Sequence, residues 1–224
     1  MDYLQALLAF TGVALLLTIT PGLDMALVLR SALTHGRAHA AATGLGINVG
    51  NLIWGLAAAV GIAALLATSE VAYLALKIAG AVYLVWLGVT MIAATFRRAG
   101  EPAPVTGALE QVSAAAPSRR PERLSRGFMR GFTTNMLNPK VGVFYLAMIP
   151  QFMATGVPAW VMGLSLAGVH VVLTVLFFAV LIAAAHGFRR LLSTPTAADW
   201  IDRITGTALL GFGVALAVDG VRAT

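Results

Sequence analysis

The sequence contains no cysteine, which excludes disulfides, thiolate metal sites and any thiol redox relay. Charge is scarce too. Only 11% of the 224 residues are Asp, Glu, Lys or Arg, against about 25% in soluble domains. Fifteen basic and nine acidic side chains cannot supply the polar skin that a soluble fold of this size needs. Catalytic signatures are missing as well: there is no HExxH, no GxSxG and no phosphate-cradling P-loop. An ordinary cytosolic enzyme is therefore not expected. What is present instead is apolar, with 59% hydrophobic residues and a mean hydropathy of +0.87. Such a chain turns its surface to lipid.

A helix needs roughly 20 apolar residues to cross the hydrocarbon core. Six stretches approach that length: about Leu4–Leu29, Ala40–Thr68, Val71–Phe96, Gly131–Phe152, Ala159–His186 and a shorter Ile204–Val218. The first is read as a span and not a signal peptide, since only Asp2 precedes it and no clean cleavage site follows. Helix is the expected spanning element, because strands would need short alternating segments. One connection is long. Arg97–Arg130 holds seven Arg, three Glu and four of the nine Pro, and divides the chain into three spans on either side. The predicted organisation is a first three-helix repeat over 1–96, a cytoplasmic loop over 97–130 and a second repeat over 131–224.

The positions of the charges give orientation. Arg30, Arg37, the seven Arg of the long loop, Arg189, Arg190 and Arg203 fall on one side, twelve of the fifteen basic residues. The other side has Asp2, Glu70 and a tail with Asp219 and Arg222. Under the positive-inside rule the twelve are cytoplasmic and both termini face out. The net charge of +6 thus records topology and contact with anionic headgroups, not a nucleic-acid partner.

Two correspondences suggest an internal repeat. Lys77-Ile78-Ala79-Gly80 through Leu84 and Arg203-Ile204-Thr205-Gly206 through Leu210 share the pattern basic-Ile-x-Gly-x-x-x-Leu. Span one is interrupted by Thr20-Pro21-Gly22 and span four by Asn138-Pro139-Lys140, each the first span of its half. An odd number of spans per half forces opposite orientations. Matched broken helices in inverted repeats point to a transporter binding site near the bilayer midplane. The fold class expected is an all-α membrane protein of six transmembrane helices, arranged as two inverted three-helix repeats.

Charge inside a span is costly, roughly 2.5–3.5 kcal/mol at the helix centre. Asp24 follows the first break and Lys140 sits in the second, so each is expected to face the other, a cavity or a ligand. Lys77, near the start of span three, is expected to snorkel. Gly44, Asn48, Asn51 and Gly55 share one face of span two, and Gly46 and Gly50 form a GxxxG pair. That face reads either as small-residue packing with hydrogen-bonded asparagines or as cavity lining by Asn48 and Asn51. Span four adds Asn135, Asn138 and Tyr145, with Asn138 and Tyr145 on one face. His170 lies well inside span five, either as a proton relay or as a neutral imidazole held by a neighbour. His35 and His39 are four apart with no third ligand nearby in sequence, so no metal site and no cofactor are predicted.

Taken in order, several motifs resemble the LysE/RhtB family of bacterial amino-acid exporters over about Leu4–Val218. They are Thr20-Pro21-Gly22-Leu23-Asp24 with Val28-Leu29-Arg30; His35-Gly36-Arg37; and Gly44 to Asn51 with Trp54. Lys77 to Leu84 with Trp86-Leu87-Gly88, Gly127-Phe128, Gly131-Phe132 and Asn138-Pro139-Lys140 complete the set. The resemblance implies six helices, an inner-membrane location and proton-driven export of amino acids or close derivatives. Leu23 stands where the family usually has a second proline, and Asn51 where similar proteins often carry an acid.

The resulting expectation is an alternating-access exporter. Its substrate site is formed by Pro21, Gly22, Asp24, Asn48, Asn51, Asn138, Pro139, Lys140 and Tyr145, with Asp24 and His170 as proton-coupling candidates. Its partners are an amino-acid substrate and the lipid bilayer, with a homo-oligomer left open. Export of another small solute or a metal cation within the same superfamily is the alternative. A non-transporting membrane protein is a further rival, which would need a clustered catalytic set that the sequence does not offer.

Overall fold

The computed structural model describes residues 2–97, 122–187 and positions 200, 203, 204, 206–208, 210, 211, 213 and 214. The 98–121 part of the Arg/Pro-rich segment, Arg189, Arg190, Asp219, Arg222, seven of the fifteen residues of the sixth predicted span and the side chain of Lys77 lie outside the described residues. Among the described residues the regular elements are all helical. They are α1 (Tyr3–Ile19), α2 (Leu23–Thr34), α3 (Arg37–Thr68), α4 (Glu70–Arg97), α5 (Leu124–Met136), α6 (Pro139–Met148) with a 3-10 turn at Ile149–Phe152, and α7 (Ala159–Ala183).

Composition explains why these helices suit lipid. Leu4, Leu8 and Leu15 of α1 and Val172, Leu176 and Val180 of α7 are exposed. The opposite faces of the same helices are buried and equally apolar: Ala6, Phe10, Val13 and Leu17 on α1, Leu166 and Phe178 on α7. A helix that is apolar all round belongs in hydrocarbon. By length and hydropathy, Arg37–Leu65, Leu74–Ala93 and Ala159–Ala183 each qualify as a span, and the pair α1 and α2, bent by 54° at its break, makes a fourth. The chain is thus a multi-pass membrane protein.

Both predicted breaks are present. Pro21 lacks an N–H and Gly22 is extended (φ −170°), so α1 ends at Ile19 and α2 restarts at Leu23. In span four, α5 ends at Met136, Asn138 caps α6 through its side chain, and Pro139 takes the first helical position. One boundary differs from the sequence expectation. The helix expected to begin at Gly131 begins at Leu124. Its first two turns carry Arg126 and Arg130, so hydropathy missed them; they are helical because glycine packing holds them.

That packing is unusually close. α3 makes its most extensive contacts with α5 and then with α7. A Cβ added to Gly46 of α3 would lie 2.0 Å from the Phe128 carbonyl oxygen, and one on Gly131 of α5 would lie 2.0 Å from the Thr43 carbonyl oxygen. Gly50 lies against Asn135, and Gly127 against His39. Paired small-xxx-small stripes thus bring the two backbones together, as membrane helix interfaces require. Gly55 and Gly163 do the same for α3 and α7, each within reach of the other's carbonyl. The two glycines of the sequence repeat take different neighbours: Gly80 meets Ala147 of α6, and Gly206 meets Gly88 of α4.

Two apolar clusters result. One gathers Phe10, Phe144, Phe152, Tyr145 and Leu166; the other gathers Met25, Val28, Leu29, Ile47, Phe178 and Leu181. The helix breaks fall at the seam between them. Two polar contacts mark the ends of the bundle. Tyr3 Oη donates to Ser165 Oγ at 2.7 Å, tying the start of α1 to the first half of α7. At the other end, Glu122 meets His35 at the α2–α3 turn.

The close approach gives a stability prediction. Gly46→Ala and Gly131→Ala each push a methyl into backbone and should cost about 1–3 kcal/mol, at the overpacking end of the range. Gly12→Ala, where nothing lies within 4 Å, should be neutral or slightly stabilising. Thermal unfolding of the detergent-solubilised protein measures all three. Equal melting temperatures for Gly46→Ala and Gly12→Ala would contradict the packing described.

Candidate functional site

A cavity of about 40 Å³ sits where the two breaks meet. Its walls include Thr20, Gly22 and Asp24 from the first break, Asn138 and Lys140 from the second, Asn51 of α3, and His170 and Thr174 of α7. Leu17, Met25, Val141 and Phe178 supply an apolar border. By volume it holds only a few waters.

The polar groups satisfy one another across the breaks. Asp24 Oδ2 accepts from Asn135 Nδ2 at 2.8 Å, and Asp24 Oδ1 accepts from Asn138 Nδ2 at 3.3 Å. Asn135 Nδ2 also donates to Asn51 Oδ1 at 3.0 Å, so one amide links α2, α3 and α5. In the other direction, Lys140 Nζ donates to the Thr20 carbonyl at 3.3 Å. That carbonyl is left over because Pro21 and the extended Gly22 interrupt the helical ladder. The Asn138 side chain accepts from Lys140 N at 3.1 Å, which fixes its amide toward Asp24. Trp54 Nε1 reaches the Asn135 carbonyl at 3.4 Å.

α7 contributes a second pair. Tyr145 Oη and His170 Nδ1 are 2.8 Å apart, both side chains fully or nearly fully buried, and Thr174 donates to the His170 carbonyl one turn back. The imidazole is thus held by a neighbouring helix, the second of the two readings its sequence position allowed. It nonetheless borders the cavity.

Of the residues chosen from sequence, the structure brings Gly22, Asp24, Asn51, Asn138, Lys140 and His170 to one cavity. Pro21 and Pro139 shape the breaks without lining it. Tyr145 stands behind His170. Asn48 lies outside the lining: its amide donates to the Gly44 carbonyl of its own helix at 2.9 Å. Asn48 and Asn51 sit three apart, so their directions differ by about 60° around the helix; Asn51 meets Asn135 and Asn48 does not. Asn135 was noted in sequence as one more polar residue of span four, yet it is the hub. Thr20 was named only as part of the first break and Thr174 was not singled out; the i, i+4 spacing of His170 and Thr174 was the available signal for the latter.

One expectation is corrected. The absence of a third ligand near His35 and His39 does not survive folding. Glu122, far away in sequence, sits at 3.1 Å from His35 Nε2 and 3.3 Å from His39 Nε2. Spacing along one helix could not reveal a partner that precedes α5.

Comparison with known proteins follows this geometry. The family model described as LysE type translocator matches residues 15–220. The chain is 28% identical over 211 residues to the uncharacterized membrane protein YrhP of Bacillus subtilis (strain 168), covering 94% of this chain and 98% of the relative. It is 25% identical to the threonine efflux protein of Escherichia coli (strain K12), covering 96% and 98%. It is 32% identical over 144 residues to the homoserine/homoserine lactone efflux protein of Salmonella typhi, covering 64% and 63%. No solved structure matches the chain.

The hub role of Asn135 is testable by a double-mutant cycle. Asn135→Ala and Asp24→Asn should each destabilise the protein, and the double variant should lose less than the sum, with a coupling of about 1 kcal/mol. Unfolding in a mild denaturing detergent series measures it. Strict additivity would break the assignment of Asn135 to the Asp24 carboxylate.

Proposed function

This chain belongs to the LysE type translocator family, and we propose that it exports amino acids or close derivatives across the bacterial inner membrane. The observation that carries this reading is the juxtaposition of one carboxylate, Asp24, and one ammonium, Lys140, in a cavity between two helix breaks. An amino acid is a zwitterion, and this pair is its complement in charge. The efflux functions printed in the names of two relatives, for threonine and for homoserine or its lactone, support the same substrate class.

In this reading Asp24 meets the substrate ammonium or carries the coupling proton. The substrate carboxylate docks at the start of α2, where Gly22 provides no side-chain cap and the first-turn amides point at the break. Lys140 adds a positive charge there; a Cβ built on Gly22 would lie 3.5 Å from its Nζ, so glycine keeps that approach open. His170 is the second proton candidate. Lys140 also opposes a metal-cation cargo, since it brings like charge into the same cavity.

About 40 Å³ does not admit a whole amino acid. Transport therefore needs the two halves to move apart, first on one side and then on the other, which is the alternating-access scheme of inverted repeats. We take the halves to be residues 1–96 and 131–224, three spans each, with the 97–130 segment cytoplasmic and both termini outside.

Two experiments test the proposal. In an amino-acid-sensitive host, expression should relieve growth inhibition by threonine or homoserine, and Asp24→Asn or Lys140→Ala should each reduce efflux by about tenfold or more, as loss of a charged contact implies. Undiminished efflux in both variants, at normal membrane levels, would sink the site. Topology is readable because the chain has no cysteine of its own. A membrane-impermeant thiol reagent applied outside should label Thr155→Cys and spare Arg126→Cys, both exposed positions. The reverse pattern would invert the orientation.

A further inference from the structure

A second polar site lies at the Arg-rich end, away from the cavity between the breaks. Gly36 adopts φ +91°, a left-handed turn that glycine favours, and so joins α2 to α3 tightly enough to stack His35 on His39 at 4.6 Å between ring centres. Glu122, 11% exposed, faces both Nε2 atoms with the same oxygen. A neighbouring pocket of about 240 Å³ is bordered by His35, His39, Arg30 and Arg130 and gives access from solvent.

The hydrogen bonds around the rings allow one tautomer for both histidines. With the Thr34 Oγ1 hydrogen on the Arg30 carbonyl at 2.7 Å, Thr34 Oγ1 accepts from His35 Nδ1 at 2.7 Å. Thr43 Oγ1 donates to the His39 carbonyl at 2.9 Å, so the 3.3 Å contact with Ser31 Oγ takes its hydrogen from Ser31. Ser31 Oγ then accepts from His39 Nδ1 at 2.6 Å. In that tautomer both imidazoles donate from Nδ1 to a hydroxyl and turn the Nε2 lone pair toward Glu122, the form a metal ligand needs. His39 Nε2 is buried and has no hydrogen-bond donor. Two lone pairs and a carboxylate converge, an arrangement of three acceptors that calls for a cation.

We propose that His35, His39 and Glu122 form a binding site for a divalent transition-metal ion of the zinc type. Two neutral imidazoles and one carboxylate are a ligand set that suits Zn²⁺, and hydroxyl partners on both Nδ1 atoms are the outer contacts that orient such ligands. The spacing agrees. Ligands held at about 2.0–2.1 Å in a tetrahedron lie about 3.3–3.4 Å apart; the His–Glu pairs measure 3.1 and 3.3 Å, and all three ligand atoms fall within 4.8 Å of one another. Arg130 Nη1, 2.9 Å from the same Glu122 oxygen, is the competing cation that the metal displaces. Because Glu122 leads into α5 and the histidines belong to α2 and α3, a bound ion would clamp two parts of the chain together at this end. The site stands independently of the substrate cavity.

Calorimetric titration of the full chain with ZnCl₂ in detergent, any affinity tag removed, tests this. A single ion per chain is expected, not displaced by excess Mg²⁺. His35→Gln and His39→Gln should each weaken binding by about tenfold or more, and Ser31→Ala, which only frees the His39 ring, by about tenfold. Arg130→Gln should tighten it, an outcome a merely structural ion pair does not produce. His186→Gln, remote from the cluster, should leave it unchanged. No binding up to about 1 mM, or binding indifferent to His35→Gln and His39→Gln in folded protein, would overturn the site. Asp24→Asn should bind zinc like the parent, so failure of export and failure of metal binding are separable.

Discussion

The Asp24 carboxylate and the Thr20 carbonyl are two groups that hydrocarbon penalises, and each is met by a donor from the opposite helix break. The rest of the architecture follows from this exchange. The break at Pro21 and Gly22 takes that carbonyl out of the α1 ladder; a lysine at 140, one residue after the second proline, reaches it. Asn135 and Asn138 flank that second break and supply the amides for Asp24. Interhelical hydrogen bonds within membranes are individually weak, about 0.6 kcal/mol on average, whereas an unpaired central charge costs about 2.5–3.5 kcal/mol. Several bonds must therefore converge on Asp24, and they do so only if both breaks sit at the same depth.

Glycine packing sets that depth. Asn135 Nδ2 reaches Asp24 and Asn51 together because α5 lies almost backbone to backbone on α3. A methyl at Gly46, Gly50 or Gly131 would separate the helices and lengthen the bond to Asn51. The small-residue stripes are thus a precondition of the polar network and not a separate feature. The same closeness brings Gly127 against His39, so the interface that assembles the cavity also positions the cluster at the Arg-rich end.

Much of this was legible in the sequence, and the boundary of legibility is physical. Prolines report breaks directly, since they remove a donor wherever they stand, so Pro21 and Pro139 located both interruptions to the residue. Charges in apolar runs were equally plain, so Asp24 and Lys140 stood out, and both line the cavity between the breaks. Helical periodicity told less. It grouped Asn48 with Asn51, but a difference of three residues was enough to send one amide to its own helix and the other to Asn135. Hydropathy failed at Leu124–Arg130, where two arginines mask a helix held by glycine contacts. Pairings across long separations were invisible: Glu122 with His35 and His39 needs tertiary structure, and so does the choice of Asn135 over its neighbours.

The departure at position 51 now has a structural meaning. The family resemblance drawn from the sequence implies that an acid often stands at this position. Asn135 Nδ2 is shared between Asn51 Oδ1 and Asp24 Oδ2. An acid at 51 would bring a second carboxylate to the same amide, and two like charges on one donor would repel and titrate as a pair. With an amide at 51, Asp24 is the only acid among the described residues lining the cavity. If Asp24 holds the substrate ammonium as proposed, ammonium and proton would compete for one carboxylate, so binding of one would require release of the other. In the export cycle proposed above, that competition would itself couple the two fluxes: a proton taken up by Asp24 would displace the ammonium, and loss of that proton would ready Asp24 for the next substrate.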